Sequence, residues 1–349
     1  MFGRGVISTQ YGWALERAGN NVEFYVRPGR AASLGDTVSI DLIDGRASSR
    51  GVPVRETWPV TLLEEIDPRR GYDLIIVSVN HDQLAEAVEV LNGRTGEATV
   101  LIFNNVWADP SDVVSGLPTG RVVWGFPGAG GGFIDGQLRG GLMRTVFLGD
   151  IGGSSTTARH RMVDGLFRRA GFSVSYSADF RSWLWSHFVL DAALAVRALS
   201  VGGFSPVLAS RTELERAIHL ARELSEVIRF RGGRLGLGSR ALNWLPARLM
   251  TLAAQRFLGP DTLANRIMAA VDHSAHGAAA ATAAYPSDVL ATARRYEVGV
   301  PLLEEAATRF PIIDERARML SPLTTTTSSP RGRTPSTLQE PADRSGPCE

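Results

Sequence analysis

Apolar positions along the first 180 residues fall into short blocks that alternate between helical and extended spacing; from Asp179 onward the spacing is helical almost throughout. Val6, Ile7, Ala14, Leu15 and Ala18 form one apolar helical stripe, which Gly19 is placed to end. The β-rich run Val22-Glu23-Phe24-Tyr25-Val26 predicts the next strand. Thr37 to Ile43 alternates, turns at Asp44-Gly45 and is followed by Gly51-Val52-Pro53-Val54, which predicts a hairpin-like excursion. Tyr72 to Val79 is a continuous apolar run of the kind buried in parallel sheets. Asp82 to Leu91 is helical in period, and Thr99 to Phe103 predicts another buried strand. Arg121 to Trp124, Arg144 to Leu148 and Phe172 to Ser175 complete the strands, with a helix from about Thr156 to Ala170.

This order predicts an α/β fold, with a Rossmann-type dinucleotide-binding domain over residues 1–177. An all-helical domain over 178–320, for substrate binding or dimerisation, and a disordered Thr/Ser/Pro/Arg-rich tail over 321–349 follow. The parallel strands should deliver their following loops, which begin Asn80-His81 and Asn104-Asn105, to one ligand-facing edge.

A chain of 349 residues fits two domains, and 44% hydrophobic residues suffice for packed cores. The apolar stretch Phe188 to Val201 is broken by Asp191 and Arg197, so it reads as a buried helix and predicts no membrane partner. A net charge of +1 gives no argument for nucleic acid. One cysteine, Cys348, excludes a disulfide framework within the chain, and with no visible signal peptide the expected location is cytoplasmic. Every basic side chain counted as Lys or Arg is arginine. No ammonium side chain is therefore available as proton donor, Schiff-base former or carbonyl-orienting group.

The chemistry begins at the amino terminus, in Met1-Phe2-Gly3-Arg4-Gly5-Val6-Ile7-Ser8. In a dinucleotide-binding β-α-β unit the first glycine makes the tight turn and the second lets the backbone approach the pyrophosphate. The third lets helix and strand pack closely. Gly3 and Gly5 take the first two places, and Ser8, still small, stands at the third. Arg4, Val6 and Ile7 complete the cofactor turn. Only Met1 and Phe2 precede it, where a strand of about 5 residues is expected. The first strand thus reads as largely missing, its remainder expected upstream of the written start or lost from a truncated copy. The second strand ends at Arg27, with Arg30 behind it, where an acidic residue would hold the ribose of NAD. A guanidinium there suits a 2′-phosphate, which points to NADP.

Four pieces in this order resemble the ketopantoate reductase family. They are the Gly3 turn with Tyr25-Val26-Arg27, Asp73 to Val79, Leu101-Ile102-Phe103-Asn104-Asn105, and Gly299-Val300-Pro301 after a long helix. The resemblance spans about Gly3 to Phe310. It implies an N-terminal Rossmann-type domain, a helical C-terminal domain and an active site in the cleft between them. It also implies NADPH-dependent reduction of a 2-keto acid, in which a lysine supplies the proton. The family's lysine position falls on Trp185 in our alignment, its two substrate asparagines on Val189 and Ala193, and its glutamate near Ala281. The asparagine after the fifth strand is kept as Asn104. The cofactor half is therefore retained, while the polar substrate half is replaced.

His187, two residues beyond that lysine position, is the first candidate for proton donor, and Asp191, one helical turn on, would orient its imidazole. Asn80 and Asn104 are placed to bond ribose, nicotinamide amide or substrate oxygen. Asp272, His273 and His276 lack the companions of a metal site, so none is assigned. Trp183 and Trp185 must point to different helix faces, one to the core and the other to an apolar cleft. Gly128 to Gly132 is either a mobile flap or a plain connection, and Trp244-Leu245-Pro246 with Leu249-Met250 either a homodimer surface or a lid. Three functions remain open: an NADPH-dependent reductase of a 2-keto acid or less polar ketone, a catalytically inactive NADP- or ligand-binding relative, and a non-redox biosynthetic enzyme. The first takes a small-molecule carbonyl substrate.

Overall fold

The structure is a computed structural model that describes residues 1–151, 157–236 and 243–320. The expected tail lies outside the described residues. Helix α1 (Val6–Glu16) leads into β1 (Glu23–Tyr25), the short α2 (Ala31–Leu34), and the strands β2 (Thr37–Asp44), β3 (Val52–Pro59) and β4 (Thr61–Leu63). Strand β5 (Leu74–Val77), α3 (Leu84–Leu91), β6 (Thr99–Phe103), α4 (Pro110–Val113) and β7 (Val122–Phe126) follow. The antiparallel strands β8 (Ala129–Ile134) and β9 (Gln137–Leu142) come next. Then come β10 (Thr145–Gly149), α5 (Ala158–Arg169) and β11 (Ser173–Ser177).

The main sheet runs β5-β6-β7-β10-β11, with β5, β6 and β7 parallel and β10 antiparallel to β7. Phe2 extends this order by bridging Tyr25 of β1 on one side and Val77 of β5 on the other, both in parallel sense. Met1 and Phe2 thus stand between β1 and β5, joined by backbone bonds from Tyr25 to Met1 and from Phe2 to Ile76. The resulting order, β4-β1-Phe2-β5-β6-β7, is that of a doubly wound nucleotide-binding sheet with one short central member.

A second sheet, β3-β2-β9-β8, contains the predicted hairpin, whose strands pair from Thr37 opposite Pro59 to Asp44 opposite Val52. Helix α1 shares its core with residues of both sheets, among them Val38, Ile40, Leu42, Leu101 and Phe103. This explains a departure from the single predicted stripe: residues 8–15 are all buried, Ser8, Thr9 and Gln10 included. Thr9 Oγ1 and Gln10 Nε2 donate to the Gly5 and Gly130 carbonyls, at 2.7 and 2.9 Å. The Gly128–Gly132 segment is neither flap nor plain connection, because residues 129–132 belong to β8. A Cβ on Gly132 would stand 2.0 Å from the Ser274 Cβ, so glycine is required there by close approach.

The helical half is built on α6 (Phe180–Val201), α7 (Phe204–Ala209), α8 (Arg211–Phe230), α9 (Ala247–Leu258) and α10 (Leu263–Asp272). It is completed by α11 (Ala279–Arg295), α12 (Pro301–Arg309) and α13 (Pro311–Leu320). Helix α6 has the length and apolar composition of a membrane span, yet it packs as the core helix of this half, with Phe188, Ala192 and Ala193 fully buried against α8 and α11. Asp272 caps α7, accepting from the Phe204 and Ser205 amides at 2.7 and 2.8 Å. His273 instead contacts the Ala269 carbonyl, at 2.6 Å. Trp244, Leu245, Leu249 and Leu252 are exposed on and before α9.

Candidate active site

The parallel strands carry their following loops to one edge. Gly5 lies there with its Cβ direction only 3.9 Å from the Ser78 carbonyl, just after β5. Gly3 has φ +85°, a conformation that favours glycine, and nothing stands within 4 Å of where a Cβ would project. Gly5 is the N-cap of helix α1, which has no side-chain cap and no acidic residue in its first turn. Its first amides are therefore available to an anion. Val6 is buried in the core and Ile7 packs at its margin, so both face the cradle only through backbone. The Ser8 hydroxyl is buried without a hydrogen-bond partner among the described residues. Arg4 turns away from the cradle, its guanidinium over the Phe133 ring and one nitrogen 3.4 Å from the Thr37 carbonyl.

Arg27 and Arg30 are exposed beyond β1. Beside them the Glu64 carboxylate accepts from the Ala31 amide at 2.7 Å, and bonds from the Ala31, Gly29 and Arg30 amides hold it below the usual carboxylate range. Asn80 is exposed at the start of the β5 loop. Asn104 differs from the expectation that it meets a ligand. Its carbonyl oxygen accepts from the Val79 amide at 3.2 Å and its NH2 donates to the Val79 carbonyl. The side chain is consumed in pinning the β5 loop to the β6 loop, and it is 3% exposed.

The residue after it reaches across. Asn105 Nδ2 donates to Asp191 Oδ2 on α6 at 2.7 Å, and His187 Nε2 lies 3.6 Å from Asp191 Oδ1. Sequence spacing places these two one turn apart, and the structure brings them to the end of the parallel strands. The His187 imidazole stacks on Trp183, centroids 5.3 Å apart, and meets the edge of Phe126 at the end of β7 at 4.2 Å. Both side chains remain about a third open, 33% for His187 and 29% for Asp191. Burial pushes the Asp191 carboxyl up, against the opposing pull of His187 and the Asn105 hydrogen bond.

A second pair, which sequence reasoning missed, closes the other side. His81 Nε2 lies 2.9 Å from Asp288 Oδ2 on α11, joining the β5 loop to the helical half. Tyr285, one turn before Asp288, packs against His81 and Phe188 at 5.3 and 4.8 Å. An aspartate and a tyrosine three apart in an alanine-rich helix were the available signal; their meeting with His81 depends on the chain's long-range path. Trp185, Val189 and Ala193 are 2%, 1% and 0% exposed. They face the helical core, so the open face of α6 is the one carrying His187 and Asp191. Ala281 is exposed and stands apart from this core.

The Asp191 geometry carries a prediction. A carboxyl whose folded pKa lies above its unfolded value costs stability once ionised, and the cost vanishes below the unfolded pKa. Asp191→Asn, whose amide oxygen still accepts from Asn105, is expected to raise the melting temperature at pH 7 while lowering turnover. The gain should shrink as the pH falls through the carboxylate range; a lower melting temperature at pH 7 would contradict it.

Residues 1–136 match the family model for ketopantoate reductase PanE/ApbA. No curated protein matches the chain. Among solved structures, 2-dehydropantoate 2-reductase from Geobacter metallireducens GS-15 superposes with a TM-score of 0.60 at 18% identity, covering 90% of this chain and 98% of that one. D-mandelate dehydrogenase, in a ternary structure with NADH and anilino(oxo)acetate, gives 0.64 at 13% identity, covering 92% and 99%. The dimeric ketopantoate reductase of Staphylococcus aureus gives 0.56 at 12%, covering 91% and 98%. The chain thus resembles the ketopantoate reductase family in sequence over its first 136 residues and in fold over nearly all of its length.

Proposed function

We propose that the chain is a nicotinamide-dinucleotide-dependent reductase that acts on a carbonyl substrate in the cleft between the strand edge and helices α6 and α11. The observation that carries this reading is the line Asn105–Asp191–His187, set at the same strand edge as the open Gly3–Gly5 cradle. The cradle fits the group: two glycines leave its space clear, and the uncapped start of α1 offers amides to a pyrophosphate. A bound reduced nicotinamide supplies a hydride. The chain's own residues supply the remainder. Asn104 fixes the loop against which the ligand lies, and Asn105 holds Asp191. Asp191 orients the His187 imidazole, which holds the proton that the carbonyl oxygen needs as it becomes an alkoxide. The stacked indole of Trp183 and the edge of Phe126 keep the ring in place. Reduction of 2-keto acids is the reading closest to the ketopantoate reductases.

Arg27 favours NADPH, since a guanidinium can grip the 2′-phosphate. The Glu64 carboxylate seated on the amides of residues 29–31 favours NADH as a second reading, because it opposes a nearby phosphate. Loss of reduced-nicotinamide absorbance with a panel of 2-keto acids and ketones tests the activity, and an inert panel in the presence of bound nucleotide would contradict it. Arg27→Ala separates the cofactors: about tenfold weaker NADPH binding with NADH unchanged is expected, on the order of one lost charge-assisted bond. Equal effects on both nucleotides would remove Arg27 from the phosphate site.

A further inference from the structure

Strand β1 lacks the acidic residue that, in an NAD-binding unit, ends the second strand and accepts from the adenosine ribose 2′-hydroxyl; Arg27 stands in that place. A carboxylate nevertheless reaches this edge from the neighbouring strand. β4 pairs with β1 in parallel, Tyr25 opposite Leu63, and the Val26 amide donates to the Leu63 carbonyl at 2.8 Å. Glu64, the residue after β4, is therefore delivered to the same edge as the end of β1. On the other side of β1 the Gly3 amide donates to the Tyr25 carbonyl at 2.8 Å, which sets the glycine cradle beside it. Two strand spacings, about 10 Å, thus separate Gly3 from the backbone of Glu64. An adenosine ribose reaching from one side and a glutamate side chain from the other close that gap.

The Glu64 carboxylate is also held in one place. Its Oε1 accepts from the Ala31 amide at 2.7 Å, where the chain turns back after β1. Bonds from the Ala31, Gly29 and Arg30 amides hold it below the usual carboxylate range, so at neutral pH it is ionised and acts only as an acceptor. Glu64 is exposed, and an ionised carboxylate has about four lone-pair sites, so acceptor capacity remains open to a ligand. A ribose hydroxyl is a donor that such an oxygen takes in a charge-assisted bond. A 2′-phosphate in the same place brings like charge.

We infer that Glu64 supplies, from β4, the ribose-binding carboxylate that β1 lacks, and that it selects NADH. This rests on the reductase reading and decides between its two cofactors. Glu64 outweighs Arg27 because its carboxylate is already fixed by a backbone amide, whereas the exposed Arg27 side chain must give up rotamer freedom to grip a phosphate.

Three nucleotides titrated into the full chain by calorimetry test it: NADH, its analogue lacking the adenosine 2′-hydroxyl, and NADPH. The wild type should bind NADH about tenfold or more tighter than either of the others, the effect of one charge-assisted hydrogen bond. In Glu64→Ala the preference for NADH over the 2′-deoxy analogue should vanish to within about twofold. A purely structural role for Glu64, holding the turn after β1, would weaken both nucleotides alike and keep their ratio, and that result overturns the inference. Glu64→Gln keeps an oxygen for the Ala31 amide but removes the charge, so NADPH should bind it about tenfold tighter than it binds the wild type. Unchanged NADPH affinity in that variant, or a wild type that prefers NADPH, overturns the inference as well. Glu64 is exposed, so both variants should melt with the wild type. Failure of all three nucleotides to bind folded wild-type protein sinks the reductase reading itself, whereas binding without these ratios sinks only the role of Glu64.

Discussion

His187→Ala is expected to lower kcat by about 10²–10⁴-fold, the usual contribution of a positioned proton donor. KM for the nucleotide should stay within about twofold, because the glycine cradle lies on different elements and makes no use of the imidazole. The ring stacks on Trp183 and abuts Phe126, so its removal also leaves a partly open hole. Nucleotide binding measured on the variant separates that packing loss from the chemical one. His187→Lys restores an N–H⁺ donor on the same face of α6 and should recover part of the lost rate. Full activity in the alanine variant would remove His187 from the reaction and leave a bound water as the donor.

Trp185→Ala should be the most destabilising single substitution considered, costing about 3–5 kcal/mol as a large aromatic truncation in a core. The indole is 2% exposed and donates to the Ala108 carbonyl at 3.3 Å, holding the β6 loop against α6. It also forms one of two aromatic faces around the Arg231 guanidinium, which lies 4.1 Å from the Trp185 ring and 4.3 Å from the Trp107 ring. Burial pulls Arg231 down to about 10, so the cation there depends on those faces for compensation. A loss of this size is a large part of the 5–15 kcal/mol by which domains are usually stable. Thermal unfolding should show the midpoint falling by roughly 10 °C, whereas a fall below about 2 °C would mean that Trp185 is not a core anchor.

Much of the fold was legible along the chain because local patterns report local structure. The runs at Tyr72–Val79 and Thr99–Phe103 reduce to strands at Leu74–Val77 and Thr99–Phe103, paired in parallel as continuous apolar runs predict. The predicted hairpin is β2 with β3. Helix α1 reads less well, since a helix covered on two sides buries Ser8, Thr9 and Gln10 that a one-face pattern counts as exposed. The glycines of β8 imitate a loop because composition does not reveal that Gly130 and Gly132 lie against Ile267 and Ser274.

The candidate site was legible only where its residues share one element. His187 and Asp191 are a turn apart on α6, and helical spacing alone pairs them. Asn105, His81, Tyr285 and Asp288 come from two loops and a distant helix, separated by 86 residues in the Asn105–Asp191 contact and 207 in the His81–Asp288 contact. No local period encodes such pairs. The core-facing positions 185, 189 and 193 mislead for the converse reason: a register counted along one helix says nothing of which face meets the cleft until its neighbours are in place.

Calorimetric titration of NADPH and NADH into the full chain, beside Gly5→Ala, bears most directly on the cradle. Gly5 has φ −79° and ψ 178°, which any residue adopts, and an added Cβ would meet only the Ser78 carbonyl at 3.9 Å. The variant should therefore melt with the wild type yet lose at least tenfold in nucleotide affinity, because the methyl group stands where a pyrophosphate must approach. No heat with either nucleotide on folded wild-type protein, or equal affinity in the variant, would contradict the account.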